Sequence, residues 1–235
     1  MMIDSIYWDL DDTLLNYNDA FTRAASTSFA ALHPFLSSHD VTYWLPHFKA
    51  CCDDYWPAYE KKRLSRDRYL ALRFHRSLQR ANVASAVSWH SFEAALRQQI
   101  PRLCTFFPGI SDILKKLTQQ AIPLGMITNG SRSFQQAKLV ALQLNQWLCA
   151  DRIHICEEGT LQKPNPQLFS TVQTIHNDKA PLYIGNSWHL DIVPARQAGW
   201  QTIWYAPSSE ESDAACLTTP EALLTKLSAY IEAAK

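Results

Sequence analysis

The 235-residue chain lacks any net charge, with 22 Lys and Arg set against 22 Asp and Glu. Binding to a nucleic-acid polymer draws on a basic face, so no such partner is expected. It also lacks a run of about 18 apolar residues, which argues against a membrane-spanning helix and a membrane partner. The opening MMIDSIYWDL has no basic n-region, and Asp4 interrupts its apolar run, so it does not read as a secretory signal. The six cysteines contain no C-x-x-C pair, and Cys51 and Cys52 are adjacent. Reduced structural thiols in a cytoplasmic protein are the expectation. The histidines show no zinc-site spacing. Internal repeats and low-complexity tracts are absent, and an apolar share of 47% marks a globular chain.

Five short apolar runs are present: residues 3–8, 122–127, 152–156, 181–185 and 201–205. Their near-continuous hydrophobicity suits strands buried on both faces. Helical patterns lie between them. Ile110, Ile113, Leu114 and Leu117 follow i, i+3, i+4, i+7 spacing. Asn165 and Pro166 form a cap–proline start, with Phe169, Val172 and Ile175 expected on one face. Ala195 to Gly199 reads as a helix end with glycine at C′. Thr219 and Pro220 open a closing helix carrying Leu223, Leu224, Leu227 and Ile231.

Alternating strands and helices predict an α/β fold, a Rossmann-like parallel sheet with helices on both faces. The interval 16–102 breaks the alternation. It shows helical spacing only, for example Tyr69, Leu72, Phe74 and Leu78, and reads as an inserted helical bundle. Segments 1–15 and 103–235 then form the main domain.

Strand one ends in WDLDDTL, placing Asp9 and Asp11 where ligands bind in open α/β sheets. Two carboxylates at i and i+2 can converge on one ligand, one attacking or binding metal and the other handling a proton. Taken alone, DxDxT equally describes a surface turn with aspartate caps. Three further stretches follow in order at later strand ends: ITNG with Thr128, Asn129 and Gly130, QKPNPQLF with Lys163, and IGNSWHLDI with Asn186 and Asp191.

Together these four stretches resemble the motif series of the haloacid dehalogenase superfamily. The branch they resemble is phosphatase-like, with a helical C1 cap inserted after strand one. DLDDTL, ITNG, KPNPQLF and the aromatic stretch YWPAY (55–59) resemble its nucleotidase-like members most. The resemblance implies a Mg²⁺-dependent phosphatase that hydrolyses a small phosphomonoester, a nucleoside monophosphate or sugar phosphate, through an aspartyl-phosphate. Asp9 is then the nucleophile and Asp11 the acid/base. Thr128, Asn129, Gly130 and Lys163 are expected to bind phosphate, and Thr128 and Lys163 also count among the catalytic residues, Lys163 as a cation. Asp9, Asp11, Asn186 and Asp191 are expected around Mg²⁺.

Asn186 departs from the pattern, which usually has an acid there. An amide oxygen fits the geometry of a Mg²⁺ shell but brings no charge. Two alternatives follow: a metal-independent 2-haloacid dehalogenase-like hydrolase, or a catalytically weak homologue that binds a phospho-ligand. Asp11 and the retained Asp9, Thr128 and Lys163 weigh against them. Thr13 is expected to be structural, Trp8 to be core, and Trp188 and His189 to be packed or solvent-exposed.

Overall fold

The computed structural model describes residues 3–209 and 213–232. Five parallel strands form one sheet in the order β3-β2-β1-β4-β5. They are β1 (Ser5–Trp8), β2 (Leu124–Asn129), β3 (Ile153–Cys156), β4 (Pro181–Gly185) and β5 (Gln201–Trp204). All five expected apolar runs became strands. The register places Tyr7 of β1 beside Gly125 of β2 and Tyr183 of β4. Side chains alternate faces along a strand. Ile6, Trp8, Leu124, Met126, Leu182 and Ile184 accordingly share one core. Tyr7, Ile127, Tyr183 and Trp200 share another, with Phe169 and Val172.

The helices are α1 (Tyr17–Leu32), α2 (Ser38–Glu60), α3 (Arg66–Arg80), α4 (Trp89–Leu103), α5 (Ile110–Thr118), α6 (Arg132–Ala141), α7 (Pro166–His176), α8 (Val193–Gln197) and α9 (Pro220–Glu232). The side chain of Asn165 caps α7 by accepting from the Gln167 N–H at 2.9 Å. Gly199, at φ +83°, follows α8. On α7, Leu168, Phe169 and Val172 are buried, but Ile175 is 63% exposed, contrary to the expected face. At 100° per residue, position i+6 lies about 120° from i. The stripe continues instead at i+7, His176, whose side chain is 7% exposed.

The chain divides into two compact units. One contains the sheet and comprises the segment up to Tyr17 together with Cys104 onward. The other is Asn18–Leu103 and is helical throughout, as its spacing predicts. In it, a Ser37–Asp40 capping box starts α2 and Ser65 caps α3. Its core is aromatic: Phe29 stacks on Trp44 at 3.6 Å between centroids, with Phe48, Phe74 and Phe92 around them. Arg73 pairs with Glu93 inside it. All six cysteines are free thiols. No helix among the described residues is long and apolar enough to cross a membrane.

Candidate active site

In a parallel sheet with this strand order, the carboxyl ends of β1 and β4 flank the point where connections diverge to opposite sides. Ligands bind at such a crevice. The chain leaves β1 in a tight turn, with Leu14 and Leu15 N–H both donating to the Leu10 carbonyl. Asp12 takes a left-handed conformation (φ 58°), which aspartate tolerates better than most residues. Asp9, Asp11 and Thr13 all belong to this turn.

Asp9 is buried, and each oxygen has a partner. The Lys163 ammonium donates to Oδ1 at 2.6 Å, and the Thr13 hydroxyl lies 3.1 Å from Oδ2. Burial pushes its carboxyl up to about 7, while the Lys163 charge opposes that rise. The same ammonium donates to Asp191 Oδ1 at 2.6 Å and to the Tyr183 hydroxyl at 3.1 Å. The two carboxylates hold Lys163 well above the ordinary lysine value despite its burial. Lys163 is therefore a fixed ammonium ion between two carboxylates.

The loop that presents Lys163 is set by Asn129. Its side-chain amide donates to the Lys163 carbonyl at 2.9 Å and accepts from the Lys163 N–H at 3.1 Å. Asn129 was expected at the phosphate; in the structure its side chain staples the lysine loop to β2. The Gly130 N–H, also expected there, donates to the Cys156 carbonyl at 3.0 Å.

After β4, the wide helical turn Trp188–Ile192 begins with Ser187 accepting from the Leu190 N–H. It returns Asp191 toward the sheet. Asp191 Oδ2 accepts from the Ser187 N–H at 2.9 Å, and Oδ1 is held by Lys163 and Tyr183. Both oxygens are thus engaged behind the lysine, whereas the sequence placed Asp191 among the residues around a metal. Gly185 admits it: a Cβ there would lie 2.6 Å from Asp191 Cβ. Asn186 Oδ1 lies 3.4 Å from the Thr13 hydroxyl, while the Asn186 carbonyl accepts from Trp204 Nε1 at 2.8 Å.

Asp9 Oδ2 and Asn186 Oδ1 therefore flank one hydroxyl, which has a single hydrogen to give. Two oxygens converging on one point suit a small hard cation, which takes oxygen ligands. Asp9 Oδ2 and Asn186 Oδ1 are the donors the structure brings together there, a carboxylate and an amide oxygen of the kind Mg²⁺ takes.

Asp11 is positioned separately. Lys138 Nζ donates to both of its oxygens at 2.7 Å, and Gln135 Nε2 to Oδ2 at 3.1 Å. Gln135 also donates to Thr128 Oγ1 at 2.7 Å. Thr128 is buried at the end of β2.

Sequence reasoning missed Tyr183, Gln135 and Lys138. Tyr183 reads as strand core, because its hydroxyl partners are remote in sequence. Gln135 and Lys138 did leave a signal: both are polar, three apart, on the stripe of α6 that Leu139 buries. Thr13 bonds the turn as expected, but to the Asp9 side chain itself. Trp8 is core, Trp188 packs on Trp204 and His189 is exposed.

The parallel sheet, with its carboxylate–lysine cluster at the carboxyl edge, is an α/β fold of Rossmann-like topology. A family model described as haloacid dehalogenase-like hydrolase matches residues 6–205, and the chain belongs to that family. It is 27% identical over 224 residues to the pyrimidine 5'-nucleotidase PynA of Streptococcus pneumoniae, covering 90% of this chain and 87% of that protein. It is 24% identical over 124 residues to a glyceraldehyde 3-phosphate phosphatase of Pyrococcus abyssi. That match spans 52% of this chain and only 48%, about half, of the relative's length. The solved structure of the HAD-hydrolase YfnB from Bacillus subtilis, described as bound to magnesium, aligns with a TM-score of 0.77 at 23% identity. It covers 97% of this chain and 99% of that one. At that identity, the likeness establishes the fold.

Proposed function

We propose that the protein is a Mg²⁺-dependent phosphatase acting on a small phosphomonoester, with nucleoside monophosphates and sugar phosphates as the substrate classes to test first. The observation that carries this reading is the buried Asp9, braced by Lys163 and Thr13, with a second aspartate two residues on. The names of the relatives support a phosphate-ester substrate.

An Asp9 oxygen attacks phosphorus, and the P–O ester bond breaks with its electron pair going to the leaving oxygen. Asp11 gives that oxygen a proton. Asp11 then takes a proton from the water that attacks the aspartyl-phosphate, and the P–Oδ bond breaks to return Asp9. Such acid–base assistance typically contributes about 10²–10⁴-fold. Lys163 holds Asp9 in place and offsets charge on the transferring group. Thr128 meets the phosphoryl oxygens through its hydroxyl. Asp9, Asn186 and the Asp11 carbonyl hold Mg²⁺, which when bound offsets repulsion between an anionic nucleophile and an anionic substrate. The helical unit serves as a cap that reads the non-phosphate part of the substrate.

The test is phosphate release from a panel of nucleoside monophosphates and sugar phosphates, with Mg²⁺ varied. Mg²⁺-dependent release that Asp9→Asn abolishes is the expected result. Metal-independent turnover unaffected by Asp11→Asn overturns it. The neutral Asn186 favours one second reading, a 2-haloacid dehalogenase-like hydrolase. Halide release from a 2-haloacid without phosphate release would establish that instead.

A further inference from the structure

Gln135 and Lys138 lie three residues apart on the buried stripe of α6, and both are 1% exposed. A buried polar side chain costs free energy unless it is fully partnered. Here the partners are residues of the site, which demands a functional account.

Gln135 Nε2 lies within bonding distance of three acceptors: Thr128 Oγ1 at 2.7 Å, Asp11 Oδ2 at 3.1 Å and the Asn129 carbonyl at 3.1 Å. An amide nitrogen has two hydrogens. The Asn129 carbonyl has no hydrogen to give, and the Asp11 oxygen is held by an ammonium, so the nitrogen, not the amide oxygen, must face them. That nitrogen has no lone pair to offer, so the Thr128 hydroxyl cannot donate to it. At 2.7 Å, the shortest of the three contacts, Thr128 accepts one hydrogen, and the other is shared between Asp11 and Asn129 at 3.1 Å. The Thr128 hydroxyl hydrogen is left to point at another acceptor, and a phosphoryl oxygen is such an acceptor.

Lys138 contacts Asp11 differently. Its ammonium reaches both carboxylate oxygens at 2.7 Å, while the rings of Tyr17 and Phe134 lie 4.6 and 4.5 Å from Nζ. Two donated bonds to the two oxygens of one carboxylate fix its plane as well as its place.

We propose that α6 carries two positioning residues, Gln135 orienting the Thr128 hydroxyl as a donor toward phosphate and Lys138 holding the Asp11 carboxylate in line for proton transfer. The proposal rests on the phosphatase reading. It assigns the two residues to different terms of the kinetics, which a common structural role would not do. Gln135 acts on phosphate binding, and Lys138 acts on the chemical step through Asp11.

The experiment compares Gln135→Met, Lys138→Met and Lys138→Arg with the wild-type protein. It uses steady-state kinetics on whichever monoester the panel selects, calorimetric binding of inorganic phosphate with saturating Mg²⁺, and circular dichroism to confirm folding. Gln135→Met is expected to raise KM and weaken phosphate binding by about tenfold, the scale of one hydrogen bond to a charged group. Lys138→Met is expected to lower kcat by about 10²-fold with KM within about twofold, and Lys138→Arg to recover part of kcat. Should Lys138→Met fail to fold, Asp11→Asn/Lys138→Met removes both charges together. Compared with Asp11→Asn alone, it should show no further loss of kcat, because the lysine acts through Asp11.

A folded Gln135→Met with unchanged KM and phosphate affinity overturns the first assignment. Unchanged kcat in Lys138→Met, or a further loss in the double variant, overturns the second. Failure of the phosphatase reading is distinguishable: the wild-type protein would then release phosphate from no monoester and bind no inorganic phosphate.

Discussion

Two buried polar clusters flank the same sheet, one at each end of its strands. At the carboxyl edge, Lys163 is shared between Asp9 and Asp191. At the amino edge, Arg152 pairs with Asp178 alone, through both carboxylate oxygens at 2.9 Å, and meets the Tyr7 hydroxyl at 2.6 Å. Tyr7 in turn donates to Asp178 at 2.8 Å, closing a triangle. The Tyr7 ring lies over Gly125, where a Cβ would come within 2.5 Å of it. The arginine cluster balances one cation with one anion. The lysine cluster holds two anions against one cation, and burial pushes Asp9 up. A closed pair stabilises a fold, whereas an unbalanced one stores reactivity. A carboxyl so perturbed beside a fixed charge is a mark of functional sites.

Four substitutions can break or sharpen this contrast. Asp9→Asn has the largest expected effect on function: it abolishes phosphate release, yet leaves the melting temperature unchanged or raised. Asp191 still partners Lys163, and the repulsion between the two carboxylates is gone. A large fall in thermal stability would show the lysine cluster to be structural instead. Arg152→Met has the opposite signature. Asp178 is buried but Arg152 is partly exposed, so loss of the cation should cost less than breaking a fully buried pair, about 3–5 kcal/mol. Denaturant midpoints should fall while KM of the folded fraction stays near wild type. A stable but inactive Arg152→Met protein would erase the distinction.

The third prediction concerns pH. His154 Nε2 and His176 Nε2 lie 3.0 Å apart beside the arginine cluster. Burial, with His176 and Arg152 nearby, lowers His154 to about 4 from 6.5; Asp151 and Asp178 oppose that shift. Between those values the unfolded chain binds the extra proton, so the His154 contribution to stability falls as pH drops from 6.5 toward 4, whereas Asp9, raised to about 7, contributes the opposite slope. His154→Gln should therefore gain melting temperature relative to the wild-type protein as pH drops through that window. An unchanged slope would assign the pH dependence to other groups.

The smallest effect is expected from Asn186→Asp. It adds one charge to the proposed oxygen set and should tighten Mg²⁺ by about tenfold or less, roughly 1.4 kcal/mol, with turnover maintained or raised. An unchanged or lower Mg²⁺ affinity in that variant would remove Asn186 from the metal shell.

What was legible in the sequence follows from where the information lies. The strands were readable because burial on both faces writes continuous apolar runs such as PLYIG. The helical interval was readable from its spacing, and Asn165–Pro166 fixed the start of α7. The position of Asp9 was legible because β1 ends at Trp8, whereas Lys163, seven residues beyond the end of β3, was singled out by its motif alone. Their actual partners were not, because Lys163 meets Asp9 across 154 positions and Asp11 meets Lys138 across 127. Ile175 was misplaced because three-residue steps drift around a helix. Asn129 was assigned to phosphate through its backbone N–H, and the fold adds a role its motif does not show, a side-chain amide bonded to the lysine loop.

Gly185 and Asn186 stand side by side, yet they differ in what they tolerate. A methyl group at 185 would strike the Asp191 carboxyl and displace the brace that holds Lys163. At 186 the backbone is anchored by Trp204, and the side chain is only half-buried. Exchanging amide for acid there replaces one nitrogen with oxygen and adds a negative charge. On the proposed reading, the strength of cation binding is thereby a separately adjustable property, set at one position beside a neighbour that tolerates no change.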